Sequence, residues 1–345
     1  KYAELGMVEA IDESGSIAQT SFMGEHFVDI AEFPIVNKPL LVNCFATSWC
    51  PLKCVYCHAD DLMGEDLRAS EEASQLKEVA SIAEKLDALV YVVTGGDPLT
   101  RPGRTISLLG ALPQASATVI DTSGVGEMAD LHAILQARPS HLRISLDSPD
   151  PKINSKLRPI NQRQFSKYSA NSMNSLYHAE RAIGIGLERA SGVSVQTVVT
   201  KHNDSLDHLL QLRDWLFSRG VRNWILHVAI NAGRAHKNYI QKKKGVSSSV
   251  HAGIFPSSAV KKTIRDLIED TRSNGIQMDI RSTDASGSPN SVFLVGSVGA
   301  LFVQGISSGS SEKSMVKAFD VSSGALWSVF SDAAHVKRYT NLDNS

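Results

Sequence analysis

Cysteine is scarce in this chain and confined to one place. Among 345 residues there are four, Cys44, Cys50, Cys54 and Cys57, and none follows Cys57. A disulfide framework would spread its cysteines along the chain, so none is expected here. Charge of one sign is also lacking: 35 Lys and Arg face 36 Asp and Glu, a formal net charge of −1. That balance gives no electrostatic reason for a nucleic acid or an anionic membrane as partner. No apolar run approaches the roughly 18–20 residues that span a bilayer. No charged-then-apolar leader opens the sequence, so a soluble protein of a reducing, cytoplasmic compartment is expected. G-x-x-x-x-G-K-[ST] and H-E-x-x-H occur nowhere, and Gly184-Ile185-Gly186 lacks the third glycine of a dinucleotide loop. Long-period repeats are absent.

What is present is concentrated in Cys50-Pro-Leu-Lys-Cys54-Val-Tyr-Cys57. Three thiolates at C-x3-C-x2-C spacing hold three irons of a cubane [4Fe–4S] cluster and leave the fourth open to a substrate or cosubstrate. Other readings of the same residues stay open. Cys54-Val-Tyr-Cys57-His58 fits the attachment pattern of c-type haem, and C-x-x-C alone fits a thiol–disulfide motif. A zinc site would use the three cysteines with Cys44 or a histidine, but structural zinc sites usually draw on two separated pairs, and no second pair exists.

At this length one α/β barrel with an appendage is accommodated. Residues 1–38 read as a β-rich preface, with a hairpin around Asp12-Glu13-Ser14-Gly15. From residue 39, apolar runs alternate with amphipathic helical windows: 40–45, 88–94, 117–121, 142–147, 193–200 and 224–230. One window starts at Ser70 and carries Ala73, Leu76, Val79, Ala80 and Ala83 on one face; another is capped by Asp204 and stopped by Gly220. Strands that alternate with crossover helices form a parallel sheet. Six units over residues 39–235 fall short of a full barrel, so a partial (β/α)6 barrel or an open α/β sheet is expected. After a solvated Lys242-Lys243-Lys244 loop, residues 236–345 read as a small α+β extension over the barrel. It would have a helix at 258–272, antiparallel strands at 276–280, 291–295 and 300–303, and a last helix at 325–339.

In a parallel sheet, ligands bind at the carboxyl ends of the strands. Those ends carry Thr94-Gly95-Gly96-Asp97-Pro98, Asp121-Thr122-Ser123-Gly124, Ser145-Leu146-Asp147-Ser148, then Gln196, Thr197 and Thr200, then His227 and Asn231. Any one of them alone would be a turn or a cap; five in succession beside a cysteine loop point to a ligand site.

With these motifs in order, the chain resembles the radical S-adenosylmethionine (radical SAM) superfamily, in the branch containing molybdenum-cofactor cyclases and peptide-modifying enzymes. Tyr56 occupies the aromatic position before the third cysteine. Gly95-Gly96-Asp97-Pro98 is similar to the family's Gly-Gly-Glu-Pro segment, with aspartate for glutamate, and Gly233-Arg234-Ala235 follows the sixth strand as in that branch. The resemblance, over about residues 39–235, implies a [4Fe–4S] cluster on Cys50, Cys54 and Cys57 with S-adenosyl-L-methionine on its open iron. It implies that Gly95, Gly96 and Asp97 hold the methionine ammonium, and that Tyr56 lies against the adenine. Thr122, Ser123, Ser145 and Asp147 become ribose contacts. It further implies an oxygen-sensitive enzyme that forms a 5′-deoxyadenosyl radical and takes hydrogen from a peptide. The alternatives are a small-molecule substrate or a noncatalytic sensor. Flavodoxin or ferredoxin would supply the electron. The extension lacks the auxiliary-cluster cysteines of many relatives. Cys44 is either a small core residue or, if it faces the lumen, a hydrogen donor to the substrate radical.

Overall fold

The computed structural model describes residues 41–63, 72–161, 174–231, 233–243, 253–283, 293–297, 301–304 and 315–319. The expected N-terminal hairpin and the last helix lie outside these residues. Six βα units run as expected: β1 (Leu41–Thr47), α1 (Glu72–Leu86), β2 (Val90–Gly95), α2 (Pro102–Ala111), β3 (Ala117–Thr122) and α3 (Met128–Gln136). They continue with β4 (His141–Ser145), α4 (Pro151–Leu157), α5 (Ser175–Arg189), β5 (Val193–Val199), α6 (Leu206–Ser218) and β6 (Asn223–Val228). Then come α7 (Gly233–Lys243), α8 (Val260–Ser273), β7 (Asp279–Thr283), β8 (Phe293–Val295), β9 (Leu301–Gln304) and β10 (Met315–Phe319).

All ten strands form one sheet, ordered β10-β9-β8-β1-β2-β3-β4-β5-β6-β7. Strands β1 to β7 are parallel neighbours in sequence order. This is the expected α/β partial barrel, extended at both edges. Two expectations for the tail change. The strand near 276–280 is not part of a separate antiparallel sheet: β7 pairs parallel with β6, Trp224 opposite Ile280, so α7 and α8 serve as its crossover. At the other edge β8 pairs parallel with β1, Cys44 opposite Val295, and only β9 and β10 run antiparallel.

The main core lies between the sheet and its helices. Val79, Ile82, Ala83 and Leu86 of α1 repeat at helical spacing and are buried against Val42, Cys44, Ala46, Tyr91 and Val93. Asp150 caps α4 by accepting from Lys152 N at 2.7 Å, and Asn174 caps α5 by accepting from Leu176 N at 2.9 Å. The cap of α6 is Ser205, accepting from His208 N at 3.3 Å, rather than Asp204. Asp204 instead accepts from Ser257 N at 2.7 Å and ties down the segment that leads into α8. Gly220, at φ +90°, reverses the chain into β6, a conformation that side chains other than glycine's resist.

Candidate active site

The cysteine loop leaves the carboxyl end of β1 and is held almost entirely by backbone. It runs antiparallel to residues 157–161: Lys53 N donates to Pro159 O at 2.8 Å, Val55 N to Leu157 O at 3.0 Å, and Asn161 N to Pro51 O at 2.7 Å. Arg234, at the start of α7, supplies a second clamp. Its backbone N donates to Cys57 O at 2.9 Å, its Nη1 to Cys54 O at 2.9 Å, and its Nη2 pairs with Asp60. Gly233 packs so closely that a Cβ there would lie 2.2 Å from Cys57 O. Backbone at this distance leaves no room for a side chain.

All three thiols are free and keep some accessible surface. Burial nevertheless pushes each thiol pKa up, that of Cys57 to about 12. Neighbouring Cys54 raises Cys50 and Cys57 further, so the three thiols lie within one another's field. Three thiolates would repel one another unless a cationic group bound them, and they fit a cluster on those grounds. Among the described residues no three His, Cys, Asp or Glu converge on a single ion position. A cubane is compatible with that, because each thiolate binds a different iron.

The β2 end lies against the same loop. Gly96 N donates to Thr47 O and Asp97 N to Trp49 O, both at 2.7 Å. A Cβ on Gly96 would fall 1.7 Å from Trp49 O, and one on Gly95, at φ +125°, 2.2 Å from Thr47 O. The glycines therefore let the two loops meet. The Asp97 carboxylate is engaged by protein donors. Its Oδ1 accepts from Leu99 N at 3.0 Å and Thr122 Oγ1 at 2.7 Å; its Oδ2 accepts from Ser123 N at 2.9 Å and Ser123 Oγ at 2.5 Å. Four donors fill the four lone-pair positions of a carboxylate, so Asp97 fastens β2 to β3 and orients Thr122 and Ser123. Burial raises its pKa, and these hydrogen bonds oppose the rise.

Asp147 and Tyr56 are likewise engaged with each other. The Tyr56 hydroxyl donates to Asp147 Oδ2 and accepts from Arg158 Nη1 at 2.6 Å, while Val198 N donates to Asp147 Oδ1 at 2.9 Å. Arg158 Nη1 stands 3.5 Å from Asp147 Oδ2. Asp147 is thus a strut between the cysteine loop and the β4 and β5 ends rather than an open ribose acceptor. Ser145 lies one turn of the alternation earlier and accepts from Gln196 Nε2 at 2.8 Å. Gln196 Nε2 also reaches Asp121 Oδ1 at 2.6 Å, and Arg143 Nη2 reaches Asp121 Oδ2 at 2.9 Å. His227 sits on the same face, its pKa lowered to about 4 by burial and by Arg143. His58 lies within its field. These side chains form a polar floor under the cysteine loop.

Cys44 does not face that floor. It is fully buried among the helix-facing residues, and its thiol is pushed up to about 12 by burial. Phe45, the next residue, packs with Ala59 against Cys57, Leu62 and Met63 on the cysteine-loop side. Successive strand residues point to opposite faces, so the hydrogen-donor expectation for Cys44 is overturned. Reading the sequence also missed Arg158, which no local pattern marks, and Asp60, the acid that orients Arg234.

A parallel partial barrel with three free thiols in a clamped loop after β1 defines a class of proteins that bind a group at the carboxyl ends of their strands. Residues 45–216 match the Radical SAM superfamily, and the chain belongs to that superfamily through this domain. It is 34% identical over 114 residues to a GTP 3′,8-cyclase of Pseudomonas entomophila, an alignment covering 31% of this chain and 32% of that protein. It is 25% identical over 247 residues to a PqqA peptide cyclase of Methylobacterium nodulans, covering 69% of this chain and 56% of that one. The chain thus spans between a third and rather more than half the length of these relatives. Among solved structures, Streptococcus suis SuiB bound to precursor peptide SuiA aligns with a TM-score of 0.61 at 13% identity, covering 89% of this chain and 67% of that one. The anSMEcpe protein with bound AdoMet and Cp18Cys peptide aligns with a TM-score of 0.55 at 14% identity, covering 76% and 73%. At these identities the likeness is one of fold.

Proposed function

We propose that the chain is a radical SAM enzyme: Cys50, Cys54 and Cys57 hold a [4Fe–4S] cluster that binds S-adenosyl-L-methionine, and a peptide is the substrate. The observation that carries this is the placement of three free thiols on one backbone-clamped loop beside the polar ends of parallel strands. When bound, the cluster supplies the electron that cleaves the sulfonium, yielding a 5′-deoxyadenosyl radical that takes a hydrogen atom from the substrate. The chain's own contribution is aim and exclusion. Arg234 and the 157–161 segment fix the thiols by their backbone. The close approach of Gly95 and Gly96 to residues 47–49 fixes the rim where the cosubstrate sits. Asp97 holds Thr122 and Ser123, and Gln196 holds Ser145, so the strand ends beneath the cosubstrate are rigid and uncharged at these three hydroxyls.

Charge balance supports a peptide. Around the site Arg143 pairs with Asp121, Arg158 with Asp147, and Arg234 and Lys237 with Asp60. A triphosphate needs several cations not already matched; the three arginines here each meet a carboxylate and only Lys237 shares one, so the floor offers a peptide amide mainly hydrogen-bonding groups. The cyclase relatives favour a second reading, the same chemistry on a small molecule. The protein, reconstituted anaerobically with iron and sulfide, reduced with dithionite and given SAM, is expected to release 5′-deoxyadenosine, and Cys54→Ala to release none. Equal release by the variant would end this reading.

A further inference from the structure

Arg158 is the least expected charge in the molecule. It sits at the end of α4, 7% exposed, in the strand-like segment whose carbonyls clamp the cysteine loop. The Tyr56 hydroxyl and Asp147 occupy Nη1. Its Nε is buried without a hydrogen-bond partner. A buried N–H left orphaned is costly, and a guanidinium so placed calls for an acceptor. Its neighbours on the loop side are thiols. The antiparallel pairing of the two segments, Lys53 N to Pro159 O and Val55 N to Leu157 O, sets Arg158 directly across from Cys54.

We propose that Arg158 sets the reduction potential of the cluster, acting as a positioning and electrostatic residue through Cys54. The proposal rests on the cluster reading above. Reduction adds one negative charge to a site already carrying three thiolates. A buried cation beside Cys54 stabilises the reduced form more than the oxidised one and raises the potential. Asp147 offsets part of the Arg158 charge, and the rest stands across the paired segments from Cys54. Lys53, adjacent to Cys54 in sequence, is exposed, so solvent and salt screen its charge. Burial, rather than sequence distance, separates the two cations.

The test is a redox titration of the reconstituted cluster, without SAM, monitored by electron paramagnetic resonance. Arg158→Met removes the charge at similar volume, Arg158→Lys keeps it, and Lys53→Met is the exposed control. Arg158→Met is expected to shift the reduction equilibrium at least tenfold toward the oxidised form, 59 mV downward for a one-electron couple. Arg158→Lys should shift it by less than half as much, and Lys53→Met hardly at all. Loss of the cluster in Arg158→Met but not in Arg158→Lys would also support a role for the charge. An unchanged potential in Arg158→Met would overturn the proposal, as would equal shifts in the two Arg158 variants or cluster loss in both. If the wild-type chain binds no iron and sulfide, the cluster reading itself fails, an outcome visible before any variant is measured.

Discussion

Replacing Asp97 separates two accounts of the β2 end. If its carboxylate met a cosubstrate ammonium, Asp97→Ala would weaken SAM binding and leave folding nearly untouched. The geometry says otherwise. The carboxylate is 2% exposed and accepts from Leu99 N, Thr122 Oγ1, Ser123 N and Ser123 Oγ. Alanine strands two backbone amides that cannot turn elsewhere, at about 1–3 kcal/mol each. The two hydroxyls rotate toward other acceptors and lose about 0.5–1 kcal/mol each. The sum is about 3–8 kcal/mol, a large part of the 5–15 kcal/mol that holds a typical domain folded. Asp97→Asn retains one oxygen for two donors and turns an amide N–H₂ toward the other two, so about half that loss is expected. Urea denaturation followed by circular dichroism measures both variants, with the m-value checking that the transition is unchanged in kind. A loss below about 1 kcal/mol in Asp97→Ala would refute the fastening role.

Further expectations concern other parts of the molecule. Cys44→Ala should retain the wild-type content of iron and sulfide and the same yield of 5′-deoxyadenosine, because Cys44 faces the helices; its cost is in stability, about 1 kcal/mol for a small cavity. Gly96→Ala should cost several kcal/mol or prevent folding, read as loss of the cooperative thermal transition, since its Cβ would meet Trp49 O. Gly184→Ala, on α5 with open space around it, should stabilise by about 1 kcal/mol in the same assay. His227 has its pKa lowered to about 4 from 6.5, so the unfolded chain binds its proton first as pH falls. Stability should therefore rise with pH between about 4 and 6.5, by roughly 1–2 kcal/mol from pH 5 to 7 after allowing for partial accessibility. His227→Gln should flatten that slope in urea titrations at the two pH values.

The parallel core was legible because its signals are local. Each run of apolar residues bounded by turn formers became a strand, and helices such as α1 and α6 show their buried stripe in the sequence. Which face a residue occupies was not legible in those same runs. Parallel strands are covered on both sides, so Leu41-Val-Asn-Cys-Phe-Ala shows no clean alternation, and Cys44 reads equally well inward or outward. The tail was misread for another reason. The character of the sequence changes near residue 236, so the strand at 276–280 was grouped with a separate antiparallel sheet rather than with β6, although α8 itself was placed within a few residues.

The site was half legible for a physical reason that Asp97, Asp147 and Arg158 share. Sequence marks which groups are charged but not what they are paired with. A carboxylate at a strand end reads as a ligand until its lone pairs are found to be filled, as both aspartates' largely are here. The cysteine loop has few buried apolar anchors of its own, Leu52, Val55 and Ala59, and its place is set by amide bonds to 157–161 and by Arg234. A loop held this way depends on distant residues that carry no motif. The acids around it therefore work as structural partners of arginines and amides, keeping the site near neutrality while it holds three sulfurs close together. That division of labour leaves Thr122, Ser123 and Ser145 as oriented, uncharged groups at the strand ends.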